Sequence, residues 1–286
     1  MNTQGKEFCD SSIKFNTSAT GDYAVTRHQA GIIEAKMDVI AEEVPIALVY
    51  NGISHAVMLA TPQDLEDFAL GFSLTEGILD EPSDLYSMEV VHRPQGFELH
   101  LDVATSCFQR LKEKRRSMAG RTGCGLCGSE SLEQALRIPV TKLSEKTDKI
   151  TGRVVNLAFA NIRQQQKLQV LTGATHASAW VNMHGDVELI REDVGRHNAL
   201  DKLIGAMAKE NLLASKQGKD GFVLTTSRAS YEMVQKTASA GINMLVAISA
   251  PTGLAIRVAE QCHLTLVGFA REDSYVVYSH PENIIL

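Results

Sequence analysis

Two cysteines, Cys124 and Cys127, stand at C-x-x-C spacing within Thr122-Gly123-Cys124-Gly125-Leu126-Cys127-Gly128. The thiolate, not the thiol, is the nucleophile, and nearby cations lower a thiol's pKa. Lys114, Arg115, Arg116 and Arg121 precede the pair and would supply such cations if the loop folds back on them. Glycine permits tight turns and lets a large reactant approach the backbone. A thiolate so placed can attack a donor sulfur and carry it away as a persulfide. Three other readings compete. Structural zinc wants four ligands, often two Cys or His pairs, but Cys9, Cys107 and Cys262 are isolated. A thioredoxin-like redox pair belongs at a helix start after the first strand of a βαβ unit, whereas a basic, helix-like run precedes this one. Ordinary structural thiols sit among apolar residues, and these are flanked by glycine. The context favours a functional pair, with sulfur handling one plausible use of it.

A second set of chemistry-bearing residues lies in the C-terminal half. Ser227-Arg228-Ala229-Ser230, Ser249-Ala250-Pro251-Thr252-Gly253 and Phe269-Ala270-Arg271-Glu272-Asp273-Ser274 each follow a β-rich run. The first two lead into helix patterns. Helix N-termini with hydroxyls and an arginine nearby bind anions. Singly, Ser230 and Thr252 read equally well as plain N-caps. Together, three such loops on one sheet edge point to a phosphate-bearing ligand. Glu192, Asp193, Arg196 and His197 form a dense polar cluster at the start of another helix pattern. It reads either as a capping and ion-pair network or as an acid/base or ligand contact. His176, just before a strand pattern, is a candidate for the same edge.

The elements that must position these groups follow from periodicity. Residues 1–23 are polar and predict a mobile tail. Runs at 46–50 and 53–59 flank Asn51-Gly52, a hairpin signal because both turn residues need φ > 0. Thr61 as cap and Pro62 at the first helical position predict a helix start, continued by Leu65, Phe68, Ala69 and Phe72 at helical spacing. Extended runs at 88–92 and 97–103 complete a β-β-α-β-β unit. The spacing then predicts helices at 132–136 and 154–168, and a hairpin of 177–182 with 187–190. Residues 191–197 open a helix over 198–209. Strands at 222–226, 242–249 and 264–269 alternate with helices at 231–240 and 254–261, and a strand at 276–279 ends the series. Such alternation predicts a largely parallel sheet, with ligands beyond the carboxyl ends of its strands. The fold class is α/β. The organisation is a tail at 1–23, a small α+β domain at 24–110, a basic linker with the reactive loop at 111–130, and an α/β domain at 131–286.

Composition bounds the function. Lys plus Arg is 28 and Asp plus Glu is 34, giving a formal net charge of −6 over 286 residues. That argues against a non-specific nucleic-acid binder, which is normally basic. No run approaches the roughly 18 apolar residues that span a bilayer, so no membrane partner is expected. The first residues lack an apolar signal core. A cytoplasmic location follows as an expectation, with the five cysteines reduced.

RTGCGLCG (121–128), EDVGRHNALDK (192–202), TTSRASYEMVQK (225–236) and LTLVGF (264–269) resemble the formate dehydrogenase accessory sulfurtransferase family FdhD. So does EEVPIALVYNGISHAVMLATPQDLEDFALGFSLTEGI (42–78). The resemblance implies a sulfurtransferase that takes sulfur from a cysteine desulfurase as a persulfide on Cys124, with Cys127 as second loop cysteine. It implies delivery to the molybdenum cofactor, a bis(molybdopterin guanine dinucleotide), for formate dehydrogenase, with GDP as a likeness of its nucleotide part. It also implies a homodimer and a cytidine-deaminase-like three-layer second half. The deaminase zinc motif is absent, so no metal site and no deamination are implied. The family's cofactor segment falls on Phe269 to Ser274. Here it lacks the Lys-Pro-Gly-Arg pattern of close relatives, though Arg271 retains a cation. The alternative is a non-catalytic chaperone that binds the same cofactor.

Overall fold

The computed structural model describes residues 15–116, 143, 149–213 and 221–285. The reactive loop with Cys124 and Cys127 and the helix expected at 132–136 lie outside the described residues.

The chain opens with a two-stranded antiparallel ribbon, β1 (Thr20–Gln29) and β2 (Ile32–Ala41). Its turn places Ala30 and Gly31 at φ 49° and 83°. β1 thus begins inside the stretch whose composition suggests a tail. Both faces of the ribbon are largely exposed, Ile32, Ile33 and Met37 included, so no inside–outside alternation marks it in the sequence.

β3 (Val44–Tyr50) and β4 (Ile53–Ala60) form the expected hairpin, with Asn51 and Gly52 at φ 45° and 78°. α1 (Leu65–Thr75), β5 (Leu85–Arg93) and β6 (Gly96–Val103) complete the β-β-α-β-β unit. Its sheet runs β4-β3-β6-β5, with β3 and β6 parallel. The apolar faces of these strands and of α1 share one core that includes Ile46, Leu48, Phe68, Phe72, Leu99 and Leu101. Thr61 does not cap α1. The helix starts at Leu65 behind Asp64, and Thr61 is used in a longer-range contact described below. α2 (Thr105–Arg116) continues from β6 and anchors Cys107 and Leu111 in the same core.

β7 (Ile150–Thr151) pairs in parallel with β14 (Ile284–Ile285) near the end of the chain. The helix expected over 154–168 is two helices, α3 (Gly152–Gln165) and α4 (Lys167–Thr172), because Gln166 leaves helical geometry at ψ 79°. Next come β8 (His176–Asn182), β9 (Val187–Asp193), α5 (Arg196–Lys209), β10 (Gly221–Thr225), α6 (Tyr231–Ser239), β11 (Met244–Ala247), α7 (Gly253–Cys262), β12 (Thr265–Gly268) and β13 (Val276–Ser279). β9 therefore runs through Asp193, and residues 191–193 are strand rather than helix opening.

The second sheet is ordered β13-β12-β11-β10-β8-β9. Only β10, β11 and β12 are mutually parallel, and the flanking pairs are antiparallel. The sheet is therefore mixed rather than largely parallel. Trp180, Val223, Leu245 and Leu266 pack with residues of α5, α6 and α7 on one face. Ala177, Ala179, Val181, Phe222 and Leu224 pack with Val155, Ala158 and Ile162 of α3 on the other. The second half is thus built as three layers, helices, sheet and helix.

α1 lies directly against α5. A Cβ on Gly71 would fall 1.7 Å from the Asp201 carbonyl oxygen, and one on Gly205 would fall 1.9 Å from that of Asp67. Only glycine allows that backbone approach. Ion pairs lock the contact, of which Lys236–Asp201 is buried. Lys236 Nζ lies 3.0 Å from Asp201 Oδ2 and 2.9 Å from Glu76 Oε1, and Arg191 Nη2 lies 2.7 Å from Asp67 Oδ2. Burial alone would pull the Lys236 ammonium down, but the carboxylates of Asp201 and Glu76 outweigh it and hold it above the usual lysine range. Among the described residues no helix is long and apolar enough to cross a membrane.

Candidate functional site

Topology brings the candidate loops to one edge. The carboxyl ends of β10, β11 and β12 point the same way because these strands are parallel. β8 is antiparallel to β10, so its first residue, His176, lies at that edge, paired with Asp193 at the end of β9. The N-termini of α5, α6 and α7 follow immediately, at Arg196, Tyr231 and Gly253. Three helices thus present their positive ends along one rim.

The loops touch one another. Ala229 and Pro251 form a parallel bridge, and Thr252 N–H donates to the Ala229 carbonyl at 3.0 Å. Phe269 N–H donates to the Ser249 carbonyl at 3.3 Å. Ser227 is buried, with its N–H on Thr225 Oγ1 at 3.3 Å. Arg228 and Ser249 are exposed. Thr252 does cap α7, accepting from Ala255 N–H at 3.2 Å. Ser230 stands in the N-cap position of α6 without capping it; its Oγ lies 3.4 Å from His197 Nε2.

The segment after β12 is held from inside. Ala270 is buried and donates its N–H to the Ala247 carbonyl at 3.2 Å. Arg271 Nη1 donates to the carbonyls of Ile248 at 2.5 Å and Ala270 at 3.1 Å, which braces this loop on the one after β11. Arg271 N–H closes a turn on the Ser274 carbonyl at 2.8 Å. Glu272, Asp273 and Ser274 are exposed, and Glu272 lies 3.8 Å from Arg163. Phe269 has φ 52° and is 43% exposed. A bulky residue in the left-handed region costs of order 1–3 kcal/mol and is concentrated at ligand sites.

The polar cluster at 192–197 divides in two. Glu192 is buried and accepts the N–H groups of Leu168 and Gln169, both at 2.9 Å, so it caps α4. Asp193 is fully buried and pairs with Lys202 at 2.7 Å, and it also accepts from Thr61 N–H at 3.0 Å. Thr61 Oγ1 in turn accepts Val194 N–H at 3.1 Å. These residues build the turn. Arg196 and His197 face the rim. His197 Nε2 lies 2.9 Å from Glu232 Oε2. Glu232 and Ser230 meet the same ring nitrogen, so this is not a serine–histidine–carboxylate relay, which uses both nitrogens. The hydrogen bond to His197 holds the Glu232 carboxyl below its usual range, against its partial burial. Burial, reinforced by Arg196, holds His176 below the ordinary histidine value.

Lys202 and Thr61 were not legible as site supports, because their partners lie far away in sequence. Cys107 and Cys262 are buried, and burial pushes the Cys262 thiol up, which suits packing rather than reactivity. Asp80, Asp84 and Cys107 cluster closely enough to share a cation. Arg110 already sits there, 2.7 Å from Asp80 Oδ2 and 3.4 Å from Cys107 Sγ.

Comparison with known proteins agrees with this architecture. A protein called sulfur carrier protein FdhD from Cupriavidus necator is 52% identical over 284 residues, covering 96% of each chain. One of the same name from Bordetella petrii is 51% identical, covering 93% of this chain and 94% of its own. Another from Variovorax paradoxus is 54% identical over 244 residues, covering 85% and 86%. The crystal structure of a putative formate dehydrogenase accessory protein from Desulfotalea psychrophila superposes with a TM-score of 0.70 at 21% identity, over 93% of this chain and all of that one, and shares the fold. Residues 41–285 match the model of the FdhD/NarQ family, and the chain belongs to that family.

Proposed function

We propose that this protein is a sulfurtransferase serving formate dehydrogenase. The observation that carries the reading is the family match over residues 41–285, together with relatives at 51–54% identity that are named sulfur carrier proteins. A cysteine desulfurase is the proposed donor. The Cys124 thiolate attacks the outer sulfur of the donor's persulfide. A new S–S bond forms at Cys124, the donor's S–S bond breaks, and the donor cysteine leaves as thiolate, which is thiol exchange. Cys127 follows three residues later in sequence, as supporting or resolving thiol. The acceptor is the molybdenum cofactor, a bis(molybdopterin guanine dinucleotide), bound as substrate. Its phosphates suit a rim carrying three helix N-termini, Arg228 and Arg271. The protein acts in the cytoplasm as a homodimer.

Incubation with a cysteine desulfurase and cysteine, followed by intact and peptide mass spectrometry, tests this reading. The peptide holding Cys124 should gain one sulfur atom, and Cys124→Ala should abolish both that gain and formate dehydrogenase maturation. Full maturation by Cys124→Ala would overturn it.

A further inference from the structure

We propose that His263, His280 and the Glu260 carbonyl form a binding site for one divalent transition-metal ion, at the edge of the second sheet opposite the rim. The site stands apart from the sulfurtransferase reading and does not rest on it.

Topology brings the two histidines together. β12 and β13 are antiparallel, so His263, just before β12, and His280, directly after β13, meet at the edge away from the carboxyl ends. Their ring centres lie 5.4 Å apart. The residues around them fix that approach. Ser279 Oγ donates to the Leu264 carbonyl at 2.7 Å and accepts Leu266 N–H at 3.0 Å. Asn283 Nδ2 donates to Thr265 Oγ1 at 2.9 Å. Ser279 and Asn283 are both buried, so the backbone carrying His280 is held against the backbone carrying His263. Both rings stay partly exposed, which leaves an ion a way in.

Three features of the pair suit a metal. First, Glu282 Oε1 lies 3.0 Å from His280 Nδ1. A carboxylate on one ring nitrogen fixes the tautomer and leaves the lone pair on the other, the usual arrangement of a metal-binding histidine. The Glu282 carboxyl is held below its ordinary value by its own backbone N–H, by His280 and by Lys149, so it is ionised and able to do this. Second, the distances match. His280 Nε2 lies 3.4 Å from the Glu260 carbonyl oxygen. A lone pair facing a carbonyl oxygen needs positive charge between them. A proton there makes a hydrogen bond longer than the usual range of about 2.7–3.2 Å. A tetrahedral ion about 2.1 Å from each spaces its ligands about 3.4 Å apart. The same geometry puts two ligating imidazole centres about 5.2 Å apart, close to the 5.4 Å found. Third, Glu260 is in the last turn of α7 and His263 is its C-cap. Carbonyls there carry the negative end of the helix dipole, which favours a cation.

Two imidazoles with one carbonyl select zinc, copper or nickel over magnesium or calcium, which prefer all-oxygen sets. Zinc would keep water in its fourth position. The ion would tie the end of α7 to the turn Pro281–Asn283 and so hold β14 on β7.

Isothermal titration of the tag-free full chain with Zn2+ tests the site. Cys124→Ala/Cys127→Ala serves as background, so that loop thiolates do not compete for the metal. This background should bind one Zn2+. Adding His263→Gln or His280→Ala should weaken binding at least tenfold, and Glu282→Gln by about tenfold, as loss of an outer-shell carboxylate does. With EDTA present, the histidine variants should unfold in urea close to the background's midpoint, which separates lost binding from lost folding. Proton NMR on the background keeps the test decisive even where a variant unfolds: Zn2+ should move the ring resonances of His263 and His280 first. Binding weaker than about 1 mM, equal affinity in the background and in His263→Gln/His280→Ala, or Zn2+ that moves other histidines and leaves these two still, overturns the site.

Discussion

Replacing Lys202 by Met should destabilise the whole protein through the turn that presents Arg196 and His197. Lys202 and Asp193 side chains are both 0% exposed and lie 2.7 Å apart. Lys202 Nζ also donates to the Thr61 carbonyl at 2.9 Å. Methionine fills similar space, so the loss is mainly electrostatic. Removing one partner of a buried pair costs about 3–5 kcal/mol, because the other charge stays buried. Asp193 keeps donors from Thr61 N–H at 3.0 Å, Gly195 N–H at 2.7 Å and Asn198 Nδ2 at 3.0 Å. These favour the lower end, about 3 kcal/mol, or roughly a hundredfold in the folding equilibrium. At about 2–4 °C per kcal/mol for a large domain, the melting temperature should fall by roughly 6–12 °C. Calorimetry and urea unfolding measure it. Adding Asp193→Asn should cost much less than its effect alone, since the two residues act as one unit. A single Lys202→Met variant melting within about 2 °C of wild type would refute the reasoning, because that is below the smallest shift the buried pair allows.

Gly205→Ala gains about 1 kcal/mol of helix propensity but sets a Cβ 1.9 Å from a backbone carbonyl; overpacking of about 1–3 kcal/mol should win, whereas Gly253→Ala, with only the tip of Arg257 at 3.6 Å, should be neutral or stabilising by urea unfolding. Glu192→Gln replaces a carboxylate that accepts two backbone N–H groups at the start of α4; about 1–2 kcal/mol of stability should be lost, and an unchanged urea midpoint would argue against the cap. Glu232 has its folded pKa depressed by His197, so it adds stability above its ordinary value of 4.5 that is lost as pH falls through the lower folded value. Glu232→Gln should flatten the acid limb of the stability–pH curve, and identical acid limbs would refute that link. In free wild type, His176 should titrate below 6.5, and Arg196→Gln should move it upward, as read by proton NMR.

Sequence pattern reached the small unit well because its signals are local. Asn51-Gly52 demands positive φ, and Leu65, Phe68, Ala69 and Phe72 repeat on one helix face. The ribbon of β1 and β2 was invisible because neither face is buried, so polar and apolar residues mix along it. β9 was cut short for the opposite reason. Glu192 and Asp193 look like loop residues, yet both are buried, satisfied by α4 backbone and by Lys202. Their partners are distant in sequence, and no spacing rule exposes them.

The rim itself was foreseeable from the parallel order of β10, β11 and β12, but the work of each hydroxyl on it was not. Ser230 and Thr252 occupy the same local position, the residue before a helix that follows a parallel strand. Thr252 caps its helix. Ser230 instead stands beside His197, which reaches it from α5. Local propensity ranks Ser above Thr as an N-cap, so the difference comes from what lies across the gap. β11, which leads to Thr252, lies between two strands parallel to it, whereas β10, which leads to Ser230, borders β8, whose reversed direction brings His176 and the start of α5 to the rim. The reversed strand is therefore what turns one end of an ordinary row of helix N-termini into a corner rich in titratable groups. If that is the cause, Ser230→Ala should move the His197 ring resonances in proton NMR and leave the unfolding of α6 nearly untouched, while Thr252→Ala should cost about 1 kcal/mol of stability and leave those resonances unmoved. The reverse pattern, with Ser230→Ala the costlier change in urea and His197 silent, would return Ser230 to the role of a simple cap.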